Sequence, residues 1–200
     1  MATIYDLKPA FQNLLRPMVQ TLARAGVTPN QITYTALALS LIAGGTIALT
    51  HGATWILLTI PLVMFVRMAL NAIDGMLAKE HDMKSDAGAM LNEMSDVLSD
   101  VALYLPFALI GSVSALWVVL FVIMAILTEM AGVLGAVIGG VRRYDGPMGK
   151  SDRAFVIGAL SLALGLGVLP EGWFDAIMIV ATAMGGWTVL RRSVRGLKSC

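Results

Sequence analysis

Six stretches of the chain are apolar over lengths that match a bilayer crossing, and one stretch before them alternates apolar and polar positions at helical spacing. The six cover about residues 29–50, 53–79, 86–110, 113–141, 152–169 and 172–190, and a helix of roughly 17–25 residues crosses the hydrocarbon layer. In the first stretch, over 3–24, Leu7, Phe11, Leu14, Leu15, Met18, Val19 and Leu22 recur at helical intervals, with Lys8, Gln12, Arg16, Gln20 and Arg24 between them. That pattern predicts an amphipathic helix lying in the interface, its apolar face in lipid, with interruptions at Pro9 and Pro17. Gly26 breaks it. Thr28-Pro29-Asn30 then predicts the start of the next helix, with Thr28 as cap and Pro29 in the first turn. The fold class expected is all-α integral membrane, six transmembrane helices plus an N-terminal amphipathic interfacial helix. It is one membrane domain, divided into a juxtamembrane segment at 1–26, a bundle at 27–190 and a basic tail at 191–200.

Composition agrees: 58% of the 200 residues are hydrophobic and 14% charged, too apolar for a water-soluble domain of this size. A net charge of +1 gives no reason to expect a nucleic-acid partner. Cys200 is the single cysteine, so no intrachain disulfide is available and no role is assigned to it. Residues 1–25 lack a continuous apolar core and are not expected to act as a secretory signal. The basic residues supply orientation. Lys8, Arg16 and Arg24 precede the first span, and Lys79 and Lys84 separate the second from the third. Arg142, Arg143, Lys150 and Arg153 separate the fourth from the fifth, and Arg191, Arg192, Arg195 and Lys198 follow the sixth. The connections near 51, 112 and 171 carry none. The positive-inside rule places both termini in the cytoplasm.

Ionisable residues within spans are costly and mark function by default. Arg67, Asn71 and Asp74 fall in the second span, Asn92, Glu93, Asp96 and Asp100 in the third, and Glu129 in the fourth. Positions 67, 71, 74 and 78 share a helical face, as do 92, 96 and 100. Both sets sit roughly 10 Å below the cytoplasmic end of two antiparallel helices, where they can face one cavity. Carboxylate and amide oxygens gathered this way suit a hard divalent cation such as Mg²⁺, together with a phosphate-bearing substrate. They equally suit a hydrogen-bonded cluster that fixes helix packing.

The order from 71 to 96 is Asn71-x2-Asp74-Gly75-x2-Ala78-Lys79-x8-Gly88-x3-Asn92-x3-Asp96. It resembles the signature of the CDP-alcohol phosphotransferase family, D-x2-D-G-x2-A-R-x8-G-x3-D-x3-D, with spacing kept throughout and identity at Asp74, Gly75, Ala78, Gly88 and Asp96. The six-span pattern, the juxtamembrane helix and the Thr-Pro-Asn helix start resemble that family as well. The resemblance implies a bacterial inner-membrane enzyme, active on the cytoplasmic side, that moves a substituted phosphate from a CDP-linked donor to an alcohol and releases CMP. The donor implied is CDP-diacylglycerol or another CDP-alcohol; Mg²⁺ or Mn²⁺ is the implied cofactor and a homodimer the implied assembly. Asp74 and Asp96 become metal ligands, joined by Asn71, Asn92 and Glu93, and Asp96 is also the candidate general base. Gly75, Ala78, Lys79 and Gly88, with Asp74, become the nucleotide site. Asn stands for Asp at 71 and 92, and Lys for Arg at 79. An amide oxygen can ligate a cation but brings no charge, so the site is expected to bind metal more weakly or to favour one ion over two. Glu93 and Asp100 are candidates to restore charge.

Arg67, Asp100 and Glu129 lie at comparable depth, and a buried ionic network among them is expected, because an unpaired intramembrane charge is the costly alternative. Arg67 reaching a substrate phosphate is the rival reading. Arg142, Arg143, Lys150 and Arg153 surround Gly146-Pro147-Met148-Gly149 before a helix N-terminus, a setting that can hold an anion. They are candidates for binding a small, phosphorylated alcohol, although positive-inside charge explains part of the cluster. No P-loop spacing is present. His51 and His81 have no partners at ligand spacing. The thirteen Met residues read as packing, and Gly132, Gly135, Gly139, Gly185 and Gly186 permit close helix contact. Two other functions use the same residues: a transporter of a small cation or metabolite, and a non-catalytic CDP-lipid-binding relative. The first lacks polar residues at the far ends of the spans.

Overall fold

In the computed structural model, which describes residues 4–198, seven α-helices follow one another with no strand among the described residues. They are α1 (Ile4–Arg24), α2 (Pro29–Thr50), α3 (Thr54–Glu80), α4 (Asp86–Tyr104), α5 (Ala115–Gly139), α6 (Lys150–Gly165) and α7 (Trp173–Leu197), with a 3₁₀ stretch at Leu105–Leu109 after α4. Cys200 lies outside the described residues. Helix α3 packs against α2 and α6, α2 against α4, and α5 along α7.

Capping chemistry sets the starts. Thr28 and Gln31 form a reciprocal capping box at α2, with Pro29 in the first turn. Ser85 Oγ accepts from Gly88 N at 3.0 Å to open α4. Asp152 Oδ2 accepts from Gly149 N at 2.9 Å to open α6.

Prolines inside helices are accommodated, and α1 corrects an expectation: it runs unbroken through Pro9 and Pro17. Each proline removes one backbone donor, and the helix is held from outside. Leu15 and Val19 are buried against Ile32, Ile73, Met76 and Leu77, Phe11 meets Phe65 edge-on at 6.0 Å, and Arg16 Nη2 pairs with Glu80 Oε1 at 3.1 Å. Pro61 in α3 deprives the Leu57 carbonyl of its helical donor, and the buried Ser161 hydroxyl of α6 replaces it at 2.8 Å. Pro106 likewise takes the donor from Ala102, so the third apolar stretch ends as 3₁₀ rather than α. The Ala102 carbonyl backs onto Gly44, where an added Cβ would lie 1.8 Å from that oxygen.

At the end away from the motif, the core is mainly apolar: Ile47, Ile60, Leu103, Phe107, Phe121, Ile157 and Met178 pack together. The outer surface is apolar too, with Leu49, Val137 and Phe155 among the many exposed large side chains. Such a surface suits lipid, not water. Four helices, α2, α3, α5 and α7, are long and apolar enough to cross a membrane. The other two expected spans differ for physical reasons: α4 carries Glu93, Asp96 and Asp100, and α6 has 16 residues.

Two local differences bear on the site. Helix α7 continues to Leu197, past the expected end near 190, and Arg192 is buried in it. The α5–α6 connection folds back on α5: Arg143 N donates to Gly132 O at 3.2 Å, and an added Cβ on Gly135 would meet Arg143 Cγ at 2.6 Å. Gly132 and Gly135 therefore seat a returning loop.

Candidate active site

The facing stripes of α3 and α4 meet at the end of the bundle where α2 begins. A cavity of about 410 Å³ opens there, lined in part by Asn30, Thr33, Asp74, Gly75, Ala78, Lys79, Gly88 and Asn92. Asp74 is buried at its inner wall, and its Oδ2 lies 3.0 Å from the Thr33 hydroxyl. That hydroxyl is also 3.1 Å from the Pro29 carbonyl, so one proton is shared between two acceptors. Gly75 faces open space, since a Cβ added there meets no atom within 4 Å. Gly88 has a second task, because a Cβ there would come within 2.9 Å of Asn30 Oδ1 and Ser85 Oγ. Lys79 is exposed at the mouth.

Asp96 stands opposite, within Coulombic range of Asp74. Its Oδ1 accepts from Asn71 Nδ2 at 3.3 Å and pairs with the Lys150 ammonium. Its backbone carbonyl accepts from Arg67 Nη2 at 3.1 Å. The floor beneath is ionic. Arg67 Nη1 lies 2.7 Å from Asp100 Oδ1, with both side chains buried. Arg153, only 1% exposed, donates from Nη2 to Asp100 Oδ2 and Glu129 Oε1, both at 2.8 Å. Its Nη1 reaches Thr128 Oγ1 at 2.8 Å and Met148 O at 3.3 Å. Arg142 Nη2 meets Glu129 Oε2 at 2.8 Å, and Arg142 also pairs with Glu93. Burial lowers the Arg142 guanidinium from its ordinary pKa, against a smaller opposing pull from Tyr144; it remains charged.

The structure thus brings Asn71, Asp74 and Asp96 together, with Asn92 on the cavity wall, while Glu93 turns to Arg142. Arg67 touches Asp100 directly but reaches Glu129 only through Arg153. The four basic candidates separate: Arg153 is consumed by the floor, Lys150 sits on Asp96, and Arg142 and Arg143 line a second, open recess of about 550 Å³ with Tyr144 and Arg191. Sequence reasoning missed Asn30, read only as part of a helix start, Thr33, left unremarked inside the first span, and Arg192, read as cytoplasmic charge, which donates through Nε to Asp145 O at 3.0 Å. Thr33 was findable: it lies one turn beyond the Pro29 start and faces inward with Ile32 and Ala36.

Residues 26–188 match the family described as CDP-alcohol phosphatidyltransferase. The inner membrane protein YnbA of Escherichia coli is 45% identical over 190 residues, covering 95% of this chain and 94% of that one. The chain belongs to the CDP-alcohol phosphatidyltransferase family. A protein of Aquifex aeolicus is 32% identical over 109 residues, 52% of this chain and 50% of that one. The family fold is shared with Mycobacterium tuberculosis phosphatidylinositol phosphate synthase (PgsA1). With CDP-DAG bound, that structure superposes at a TM-score of 0.74 with 17% identity, covering 88% of this chain and 89% of that one. In complex with manganese and citrate, it gives 0.73 and 17%, covering 90% and 88%.

Among the described residues, no three His, Cys, Asp or Glu side chains gather as a metal cluster. The side-chain oxygens found in and beside the cavity are instead those of two carboxylates, Asp74 and Asp96, and two amides, Asn71 and Asn92. All four offer oxygen, the donor a hard divalent cation takes, and the open space over Gly75 leaves room for a phosphate beside them.

Proposed function

We propose that the chain is a membrane phosphotransferase of phospholipid biosynthesis, moving a phosphatidyl group from a CDP-linked lipid to the hydroxyl of a small alcohol. The observation that carries this reading is a cavity with an open glycine wall, lined by Asp74 of α3 and Asn92 of α4, with Asp96 near enough for its charge to act on Asp74. CDP-diacylglycerol is the donor proposed. The relative solved with CDP-DAG shares the fold, and a cavity at the bundle end lets a lipid donor keep its tails among the exposed apolar side chains.

The acceptor oxygen attacks the lipid-bearing phosphorus, the bond from that phosphorus to the CMP oxygen breaks, and CMP leaves. Asp96 takes the proton from the attacking hydroxyl. Thr33 and the buried setting fix the Asp74 carboxylate, and Gly75 and Ala78 leave the nucleotide space against α3. Lys79 meets a phosphate at the mouth. A divalent cation, Mg²⁺ or Mn²⁺, held by Asp74, Asp96, Asn71 and Asn92, neutralises pyrophosphate charge when bound. The recess lined by Arg142 and Arg143 favours a phosphorylated acceptor.

The same reading has all six helices after α1 crossing the membrane, α1 lying in the interface, the cavity on the cytoplasmic side of a bacterial inner membrane, and two copies forming a homodimer. A transport route has little support, because below the Arg67–Asp100–Arg153 floor the core is apolar and packed. The test is CMP release by the purified chain given CDP-diacylglycerol, Mg²⁺ or Mn²⁺ and a panel of alcohols. Metal-dependent release that is lost in Asp96→Asn supports the enzyme. Tight CDP-lipid binding with no CMP from any acceptor would leave a non-catalytic binding protein.

A further inference from the structure

One oxygen of Asp96 carries two donors: Asn71 Nδ2 at 3.3 Å and the Lys150 ammonium. Lys150 is the first residue of α6. A helix N-terminus is positive and disfavours a cation, so the ammonium is held there against the local field by Asp96. It stands where the site's carboxylates would draw a metal ion.

The other carboxylates nearby are committed. Asp100 is paired with Arg67 and Arg153, Glu129 with Arg153 and Arg142, and Glu93 with Arg142. Asp86 lies exposed at the cavity rim, in the first turn of α4. Asp74 and Asp96 are therefore the inner carboxylates without a guanidinium partner, Asn71 and Asn92 bring no charge, and Lys79 and Lys84 stay exposed at the cavity mouth. Lys150 cancels one of those two negative charges. A first divalent ion meets a site of net charge minus one; a second would meet a site already positive.

We propose that Lys150 is a built-in cation that competes for Asp96 and confines the cavity to a single divalent ion. This rests on reading Asp74 and Asp96 as metal ligands, and it gives the two asparagines a partner: with Lys150 present, the site is nearly neutral without a second metal.

The test is Mn²⁺ titration of the full chain in nanodiscs of zwitterionic lipid, following the loss of the free-ion EPR signal for wild type, Lys150→Gln and Lys150→Arg. Wild type should take up one ion per chain. Lys150→Gln should bind it about tenfold more tightly, because a unit charge beside the ion is removed, and Lys150→Arg should match wild type. Two ions on wild type, no tightening in Lys150→Gln, or equal tightening in Lys150→Arg would each overturn the proposal. CMP release is measured separately. Tightening in a chain that makes no CMP with any donor would remove the phosphotransferase reading and leave the role of Lys150 intact.

Discussion

Arg153 closes on one oxygen of Asp100 with two nitrogens, Nε at 3.2 Å and Nη2 at 2.8 Å, and both residues are buried. That pair, with Arg67 and Glu129, forms an ionic floor between the polar cavity and the apolar half of the bundle. It ties α4, α5 and α6 together at one level, holding Asp96, one turn above Asp100, in place.

Removing one member of a buried pair leaves an uncompensated charge, at a cost of about 3–5 kcal/mol. Arg153→Met should therefore lose folded yield and thermal stability in detergent, and Arg67→Met should do the same for want of its Asp100 contact. Adding Asp100→Leu to Arg153→Met should not recover stability, because Arg67 and Glu129 then lose a partner each. Thermal unfolding of the purified variants checks this. Full stability of Arg67→Met with lost activity would instead assign Arg67 to substrate.

Ser161 is fully buried and donates to the carbonyl that Pro61 orphans. Ser161→Ala leaves that carbonyl without a donor, and an unsatisfied buried acceptor costs about 1–3 kcal/mol. In a Pro61→Ala background, the Leu57 carbonyl regains a helical donor, and the same substitution should cost measurably less. A double-mutant cycle on unfolding free energy reads the difference; equal costs in both backgrounds would break the link between the two residues.

Gly44 and the Ala102 carbonyl are in closer contact than any side chain allows, with an added Cβ at 1.8 Å. Gly44→Ala must push α2 from α4 and should destabilise by about 1–3 kcal/mol. Gly45→Ala next to it, where an added Cβ meets nothing within 4 Å, should be near neutral. Comparing the two melting temperatures isolates the contact.

What the chain pattern disclosed and what it withheld divide along the range of the interactions. The helix start at Thr28 depends on a residue three positions on, and the facing of 71, 74, 92 and 96 depends on helical period and a short turn; both are readable locally. The continuity of α1 through Pro9 and Pro17 depends on distant packing, with Leu15 and Val19 resting on Ile73 and Leu77. Arg153 read as a cytoplasmic charge and a candidate for holding a phosphorylated acceptor, because it follows a glycine-rich loop at a helix start. Its position one turn before Ile157, on the face that continues to Leu160 and Ser161, was the signal that it points inward. The fold-back of Arg143 onto Gly132 and Gly135 had no local sign, since a glycine stripe reads the same whether it receives a helix or a loop.

Gly75 separates nucleotide binding from folding more cleanly than the aspartates do. A Cβ there meets no protein atom, so Gly75→Ala and Gly75→Leu should both fold, gaining a little helix propensity over glycine. The leucine side chain would project into the cavity of about 410 Å³ beside Asp74 and occupy space needed by the nucleotide. Gly75→Leu should keep wild-type thermal stability, yet lose the stabilisation that CDP or a CDP-lipid gives the wild type; Gly75→Ala should lose less of it. Thermal shift with and without CDP reads both. Undiminished stabilisation of Gly75→Leu by CDP would place the nucleotide elsewhere and detach this wall of the cavity from the chemistry proposed for Asp96.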